Sequence, residues 1–323
     1  MFSNFKRLSF RHKNNKAWYY VKNYVRQYIP SVIYERKLQR KLAEINNFDR
    51  EYIEKRVNYY NKLEKTTPLS EKSIALSEHK LRDEFKVYFF DTYEFTRYFS
   101  RKLKVFFVFG DVIHVPQEPA IVKSRPIHGK NDNSVVMKLE KLRHFLFVND
   151  KKTFDSKKNR IISRGKAAGK PHRLKFLEMY YNHPMCDVGQ VDRGINLQFP
   201  APRMTLAEHL NFKFIMCLEG NDVASNLKWV LSSNSLAVMP LPIYETWFME
   251  GTLIPNFHYV LIKDDYSDLE ERMNYYIEHT DEALKIIKNA HEYTKQFKNK
   301  KQEDLISLLV LKKYFEKTGQ KAI

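Results

Sequence analysis

The sequence predicts an α/β protein with two domains of parallel sheet and helix. From residue 105 onward, short apolar runs alternate with helix-like segments, a pattern typical of βαβ units. The chain has 323 residues, more than a single hydrophobic core usually fills. A polar, lysine-rich stretch at 149–158 separates two such series and suits a linker. We therefore expect two α/β domains that face a cleft.

The first of these domains is predicted over 42–150. It begins with a charged, helical region that extends to about residue 100. The apolar run 105–109 ends at Gly110 and is interpreted as a buried strand. A helix is expected over 134–144 and a second strand over 145–148.

The second domain is predicted over 151–285, where strands and helices alternate regularly. Thr205 and Glu208 have the spacing of a capping box, which supports a helix start there. The expected strands lie at 160–163, 186–189, 212–218, 235–239 and 258–262. The expected helices lie at 171–181, 205–210, 222–231 and 244–250.

The positive charge is concentrated at the two ends of the chain. The net charge is +18 from 56 basic and 38 acidic residues. Residues 1–41 hold eleven Lys and Arg and one acid, a net charge of +10, and residues 285–323 contribute +6. The body between these ends is therefore almost neutral. We predict a basic amphipathic arm over 1–41 and basic helices over 286–323.

The arm carries apolar side chains at helical spacing, with Lys22 and Arg26 between them. Such a helix suits an anionic membrane surface, but it is equally typical of a helix docked on the protein with a solvated basic face. Nucleic acid is a third partner for basic patches, and no recognised nucleic-acid-binding motif supports it here. The apolar positions are Trp18, Val21, Val25, Tyr28 and Ile29.

Several classes of protein are excluded or disfavoured by composition. The nine glycines form neither a P-loop nor a dinucleotide-binding motif. The two cysteines exclude a disulfide framework, and neither D-x-D nor H-x-x-x-H occurs. We therefore expect no metal and no cofactor. Without a long apolar run or a signal-like N-terminus, the protein is interpreted as cytoplasmic.

Two loops at predicted strand ends have the chemistry of a phosphate site. Arg164 and Gly165 end one strand, and the helix that follows carries Arg173. Glycine before a helix leaves backbone N–H groups for an anion, and arginine adds charge-assisted bonds. The second loop and its helix carry Gly220, Asp222, Ser225, Asn226 and Lys228.

Asp111 is the best candidate for a general base. It follows the predicted strand 105–109 at the edge where open α/β sheets bind ligands, and its apolar neighbours would raise its pKa. The alternative is a carboxylate that caps a turn or pairs with Arg125 or Lys123. His144 has the same two interpretations, a proton shuttle or a packed core histidine.

The stretch 214–268 resembles the CAP10-like glycosyltransferases, glycosyltransferase family 90. The resemblance rests on E-G-N-D-V-A-S-N-L-K-W, S-S-N-S, E-x-W-F and H-Y-V-x-I-K-x-D, taken in this order. Upstream, the segment from Lys123 to Ile127, Asn133-Ser134, Arg143-His144, Phe154 and Arg164-Gly165 resemble the bacterial branch, the lipopolysaccharide A proteins.

This resemblance implies an inverting, metal-independent enzyme with two Rossmann-like domains, the GT-B arrangement. The donor would be a nucleotide sugar, usually linked to UDP, and Asp111 would be the base. The loops around Arg164 and Asp222 would bind the donor diphosphate. Asn226 stands where animal members of the family have an arginine. Candidate residues on the acceptor side are Lys123, Ser124, Arg125, His144 and Glu245.

The expected acceptor is a hydroxyl of the lipopolysaccharide core, on the inner face of the bacterial inner membrane. Phosphates and acidic sugars on that acceptor would suit the basic ends of the chain. Transfer to a capsular or other surface polysaccharide is the alternative within the enzyme class. A non-catalytic basic scaffold at the membrane is the alternative from a different class.

Overall fold

Parallel β-sheets in each of two structural units confirm the predicted α/β class. The computed structural model describes residues 15–192, 194 and 197–322. Unit 1 contains His144–Pro242 and Thr252–Gln296, and unit 2 contains Asn15–Arg143, Ile243–Gly251 and the chain from Phe297 onward. This division differs from the predicted boundaries after residues 150 and 285, and the two-domain GT-B arrangement stays a prediction.

The elements are numbered along the chain. The helices are α1 (Lys16–Tyr28), α2 (Ser31–Glu35), α3 (Leu38–Ala43), α4 (Arg50–Tyr60), α5 (Lys86–Thr96), α6 (Lys141–His144), α7 (Pro171–Tyr180), α8 (Leu206–His209), α9 (Leu227–Val230), α10 (Leu269–Glu278), α11 (Thr280–Lys295) and α12 (Lys300–Lys317), with 3₁₀ turns at Glu44–Asn47 and Glu250–Thr252. The strands are β1 (Ile74–Ala75), β2 (Lys104–Val105), β3 (Phe107–Val108), β4 (Ala120–Val122), β5 (Ser124–Pro126), β6 (Ser134–Val136), β7 (Lys158–Gly165), β8 (Cys186–Gln190), β9 (Phe212–Met216), β10 (Leu236–Met239), β11 (Tyr244–Thr246) and β12 (Val260–Leu261).

Unit 1 is built on a five-stranded sheet, counted over the described residues, in the order β8-β7-β9-β10-β12. Each neighbouring pair in it is parallel. The strands β9 and β10 are buried at every position, as expected for a parallel sheet covered by helices. Side chains from α7, α10 and α11, including Leu177, Met273 and Ile286, pack in the same core as the strands.

The strand order of unit 1 reverses direction between β7 and β9. The chain passes from β7 outward to β8, and then returns to add β9 on the other side of β7. Such a reversal is a topological switch point, and ligands of open α/β sheets bind there, beyond the carboxyl ends of the strands. A ligand of unit 1 is therefore expected at the loops after β7 and β9.

Helix α7, strand β8 and the capped helix α8 confirm the predictions for this part of the chain. The Thr205 side chain accepts the Glu208 N–H, and the Glu208 carboxylate accepts the Thr205 N–H, so the capping box is present. The strand predicted over 145–148 is wrong. In its place the Val148 N–H donates to the Ser232 hydroxyl (2.9 Å).

The stretch predicted as a linker, 149–158, lies within unit 1. The buried Lys157 ammonium binds the Asp150 carboxylate (2.6 Å), the Leu210 carbonyl (2.8 Å) and the Ser235 hydroxyl (2.9 Å). Lys157 thus anchors the stretch in unit 1 through a buried polar network, while Lys151, Lys152 and Lys158 are exposed.

Unit 2 contains a parallel sheet in the order β3-β4-β6. The helix predicted over 134–144 is wrong in its first part, because the buried Val135 and Val136 continue this sheet and only α6 is helical. Both are β-branched, and such side chains favour strands. The strand predicted over 105–109 is divided at Phe106, whose N–H donates to the Tyr314 hydroxyl (3.0 Å).

The helix predicted over 244–250 is also wrong. Strand β11 pairs there with β5 in antiparallel register, so that Glu245 lies opposite Arg125. The chain then turns, because the Glu250 carboxylate accepts the Thr246 N–H (2.6 Å) and hydroxyl (2.9 Å).

Helix α1 of the predicted arm docks on α5 within unit 2. The Tyr19 hydroxyl donates to Asp91 (2.8 Å), and Arg26 forms an ion pair with Glu94. The docked interpretation is therefore confirmed for one face of this helix. Residues 1–14 of the arm lie outside the described residues. No helix in the described part of the chain is long and apolar enough to cross a membrane.

A buried carboxylate, Glu303 on α12, joins the helices of unit 2 to the rest of that unit. It accepts hydrogen bonds from Arg56 (2.8 Å), Lys138 (2.9 Å) and the Trp247 indole (2.7 Å). Burial opposes its charged form, but the charges of Lys138 and Arg56 lower its pKa overall. Three distant segments of sequence therefore depend on one side chain.

We expect Glu303→Gln to lower the free energy of unfolding by about 3–5 kcal/mol, because it leaves buried cations without their counter-charge. Urea unfolding measures this loss. Asp304→Asn is the matched control, since that carboxylate pairs with Lys300 at the surface and such pairs contribute little. Equal stability of the two variants would contradict the role given to Glu303.

Candidate functional site

The switch point of unit 1 is bordered by two loops and the start of a helix. Strand β7 ends at Gly165, and the loop 166–170 leads into α7, which has a proline in its first turn. Strand β9 ends at Met216, and the loop 217–226 leads into α9. The N-terminal end of α7 carries the positive end of the helix dipole and favours an anion.

Arg173, in the first turn of α7, lies between these two loops. Its guanidinium donates to the carbonyl oxygens of Lys166 (2.8 Å), Leu218 (2.7 Å) and Glu219 (2.9 Å). A Cβ atom at Gly165 would lie 3.1 Å from this guanidinium, and one at Gly220 would lie 3.6 Å from it. Gly165 therefore leaves room for the arginine that was predicted in the phosphate region, whereas Gly220 lies at an ordinary contact distance from it.

Arg173 has no carboxylate as a direct partner, and the charge of Asp192 acts on it from a longer distance. Its hydrogen-bond partners are carbonyl oxygens, and no carboxylate of the described chain lies within 4.0 Å of it. Burial lowers the pKa of Arg173. A guanidinium has five N–H donors, so donors remain for an anionic ligand.

The loop after β7 already binds a carboxylate of the protein. The N–H groups of Ala167 (2.8 Å) and Ala168 (3.4 Å) donate to Asp192. Burial opposes its charge, but these N–H groups lower the pKa of Asp192 overall. Sequence analysis missed Asp192, because nothing in its local sequence marks it. The backbone of this loop thus has the polarity that an anion requires.

Arg164, unlike Arg173, does not join the two loops. Its guanidinium forms an ion pair with Asp187 and donates to the carbonyl oxygens of Asp187 (2.6 Å) and Pro202 (3.0 Å). Its side chain is almost wholly buried in these contacts. The structure therefore brings Arg173, Gly165 and Gly220 together, whereas Arg164 supports strand β8.

The helix after the second predicted loop, 217–226, starts later than predicted. The helix expected from Asp222 begins only at Leu227, because the Asn226 amide donates to the Met216 carbonyl (2.9 Å) and holds the chain in a turn. Asp222 therefore does not stand at a helix N-terminus. Lys228 is buried, with its ammonium 5.7 Å from the centre of the Phe145 ring, and Ser225 is exposed.

In unit 2, charged side chains gather at the carboxyl edge of the β3-β4-β6 sheet. Asp111, Lys123 and Glu140 each follow one of these strands, and the carboxyl ends of parallel strands share one edge. The Lys123 ammonium forms an ion pair with Asp111 and lies 3.5 Å from a Glu140 oxygen. The lysine is 1% exposed and Asp111 is 23% exposed, so the carboxylate is open to solvent from one side.

Of the two interpretations of Asp111, the structure shows the pairing with Lys123. A buried ammonium beside a carboxylate stabilises its charged form, and a charged carboxylate is what a general base requires. Pairing and catalysis are therefore compatible. Glu140, the other partner of Lys123, was not predicted from the sequence. Its φ of +55° is a backbone conformation uncommon outside glycine and asparagine.

The neighbours of Lys123 hold the loop that carries Asp111. The Ser124 hydroxyl donates to the Val112 carbonyl (3.0 Å) and accepts the Val112 N–H (3.1 Å). Arg125 and Glu245, both predicted on the acceptor side, form a fully buried ion pair (2.7 Å). His144, the last residue of α6, is also buried.

Open α/β sheets bind their ligands at such a switch point, and a guanidinium with donors to spare suits an anionic ligand there. Comparisons with known sequences identify the class of protein. The sequence model of glycosyltransferase family 90 matches residues 135–316. The O-glucosyltransferase LpsA of Dichelobacter nodosus is 39% identical over 311 residues, which cover 94% of this chain and 97% of that protein. The chain therefore belongs to glycosyltransferase family 90 and is a glycosyltransferase.

Proposed function

We propose that the protein transfers glucose from UDP-glucose to a hydroxyl of the lipopolysaccharide core, with inversion at the anomeric carbon and without a metal ion. The observation that carries the proposal is the position of Arg173 at the switch point of unit 1. The similarity to an O-glucosyltransferase supports glucose as the sugar.

Arg173 and the N-terminal end of α7 are the proposed diphosphate ligands. Arginine binds phosphate through charge-assisted hydrogen bonds, and the start of α7 adds its dipole. Lys166 and Lys170, both on the loop 166–170, supply further positive charge. Because the hydrogen-bond partners of Arg173 are neutral carbonyls, a phosphate would be its first directly bound counter-charge. This assignment replaces Arg164 and the Asp222 helix of the sequence prediction.

Asp111 is the proposed base. The acceptor oxygen forms a bond to the anomeric carbon, its proton passes to an Asp111 oxygen, and the bond from that carbon to the UDP oxygen breaks. The electron pair of the broken bond stays on the departing diphosphate, where Arg173 would stabilise it. Lys123 would keep the carboxylate charged before the acceptor binds.

For Arg173→Ala we expect kcat/KM for UDP-glucose to fall by about 100-fold or more, because a charge-assisted donor to the leaving group is lost. Initial rates with radiolabelled UDP-glucose and purified acceptor measure it. Arg173→Lys should recover part of the loss, and Arg203→Ala is the matched control, since Arg203 is exposed. Normal kcat/KM in a folded Arg173→Ala variant would remove this residue from the donor site.

Asp111→Asn should reduce kcat by about 100- to 10,000-fold, the usual contribution of a general base. The affinity for UDP, measured by calorimetry, should stay at the wild-type value, because the amide has the same size. Asp83→Asn, an exposed carboxylate of unit 2, is the control. Near wild-type transfer by Asp111→Asn would exclude Asp111 as the base.

The same assays in excess EDTA test the metal-independent scheme. Full activity is expected, and a strict requirement for a divalent cation would contradict the scheme.

Helix α1 supports contact with the membrane. While Tyr19 and Arg26 face α5, the opposite face presents Trp18 (63% exposed), Val25 (55%) and Tyr28 (87%). Residues 1–34 contain seven Lys and Arg and no acid. An apolar stripe among basic residues fits an anionic lipid surface, so we propose that this face binds the inner membrane.

We expect the double variant Trp18→Glu/Val25→Glu to lose most of its sedimentation with vesicles that contain phosphatidylglycerol. Negative charges in the stripe oppose both insertion and attraction to anionic lipid. Gln39→Glu/Gln117→Glu introduces the same charge at exposed sites elsewhere in unit 2 and should sediment like the wild type. Equal binding of both double variants would contradict the proposed membrane face.

A further inference from the structure

Unit 2 contains a cavity of about 930 Å³ that includes none of the residues assigned above to the reaction. Its volume is in the range of pockets that bind small molecules. Nine of the eleven residues that line it are polar or charged, and four of these are lysines. The residues that line it are Asn58, Lys62, Leu63, Glu64, Lys65, Thr67, Val115, Lys130, Asp132, Asn133 and Lys313. We refer to it as the lysine pocket.

Two of its lysines are held in place by neutral oxygens. The Lys62 ammonium donates to the Asn131 side chain (3.0 Å). The Lys313 ammonium donates to the Asn58 side chain (2.8 Å) and the Asn61 carbonyl (2.6 Å). Carbonyl oxygens orient an ammonium group but do not cancel its charge, so both lysines stay available to an anion.

Lys65 and Lys130 are exposed at the same pocket. Across the described chain, none of the four lysines of the pocket lies within 4.0 Å of a carboxylate. Glu64 and Asp132 are the acids of the lining, so the pocket has an excess of two positive charges.

The surroundings of the two partly buried lysines disfavour their charged form overall, although Glu245 and Asp132 act in favour of charged Lys62 and Glu64 in favour of charged Lys313. Burial lowers the pKa of Lys62, and the nearby Arg125 lowers it further. Burial also lowers the pKa of Lys313, together with the charge of Lys317. An anion beside these groups would offset both causes.

The lysine pocket shares a loop with the proposed base. Val115 of its lining lies in the segment 109–119 that joins β3 to β4, and Asp111 lies in the same segment. Asn58, Thr67 and Asn133 supply amide and hydroxyl groups to the wall, and these bind sugar hydroxyls. Cationic and neutral polar groups together suit a charged saccharide.

We infer that the lysine pocket binds an anionic saccharide, through a phosphate or carboxylate group on the acceptor. This inference rests on the proposed function for its biological meaning, since it identifies the acceptor as a charged glycan. The anion-binding chemistry of the inference rests only on the residues of the lysine pocket. The inference and the proposed transfer reaction can therefore fail separately.

The double variant Lys65→Glu/Lys130→Glu tests it, because both side chains are exposed and their replacement should not disturb folding. We expect KM for lipooligosaccharide acceptor to rise about 10-fold or more, as like charges oppose an anion, while the affinity for UDP is unchanged. Lys55→Glu/Lys102→Glu, exposed sites of the same unit outside the pocket, is the matched control. An unchanged acceptor KM in the pocket variant would overturn the inference.

A direct binding experiment separates this inference from the proposed reaction. Trehalose 6-phosphate should bind the wild-type protein about 10-fold more tightly than trehalose in calorimetry, and the pocket variant should lose this preference. That result would stand even if no transfer to lipooligosaccharide were found. Equal affinity for the two sugars would contradict the inference. Loss of binding to phosphatidylglycerol vesicles by the pocket variant, with acceptor KM unchanged, would assign the lysines to lipid headgroups instead.

Discussion

The reversal of strand order between β7 and β9 is the constraint on which the geometry of the proposed donor site depends. Because β8 and β9 add to opposite sides of β7, the loops that follow β7 and β9 lie next to each other with no helix crossing between them. Arg173 then joins the two loops through their carbonyl oxygens. Gly165 leaves room for that close approach, because a Cβ atom there would lie only 3.1 Å from the guanidinium.

Unit 2 uses the same principle with shorter strands. Its parallel strands end at one edge, so residues far apart in sequence, Asp111, Lys123 and Glu140, form one charged cluster. The segment from Lys123 to Arg125 then has three separate tasks. Lys123 pairs with the carboxylate, Ser124 fixes the loop behind it, and Arg125 closes a buried ion pair with Glu245. The residues predicted on the acceptor side thus largely support the loop of Asp111, the proposed base.

Secondary structure could be predicted from the sequence where periodicity and capping agree, as in α7, β8 and α8. The predictions were wrong where tertiary contacts override local preference. In sequence, 134–136 looks continuous with the helix that follows it. In the fold, its valines pair with β4, a strand that is not adjacent in sequence. The segment 244–246 pairs with β5 across more than a hundred residues. Asp111, Arg173 and the two glycines could be predicted from strand ends. Asp187, Asp192 and Glu140 could not, since their partners are brought near only by the fold.

The partner of each buried cation separates structural from functional charge in this protein. Arg56, Arg125, Lys157 and Arg164 pair with carboxylates, so their desolvation is compensated within the fold and an external anion would gain little from them. Arg173, Lys62 and Lys313 bind neutral oxygens in the described structure. Their desolvation is compensated only in part, and an anionic ligand would complete it. A total charge of +18 cannot make this distinction, because it counts both groups alike. The same chemistry therefore leads to both anion sites that we propose, the diphosphate site of unit 1 and the lysine pocket of unit 2.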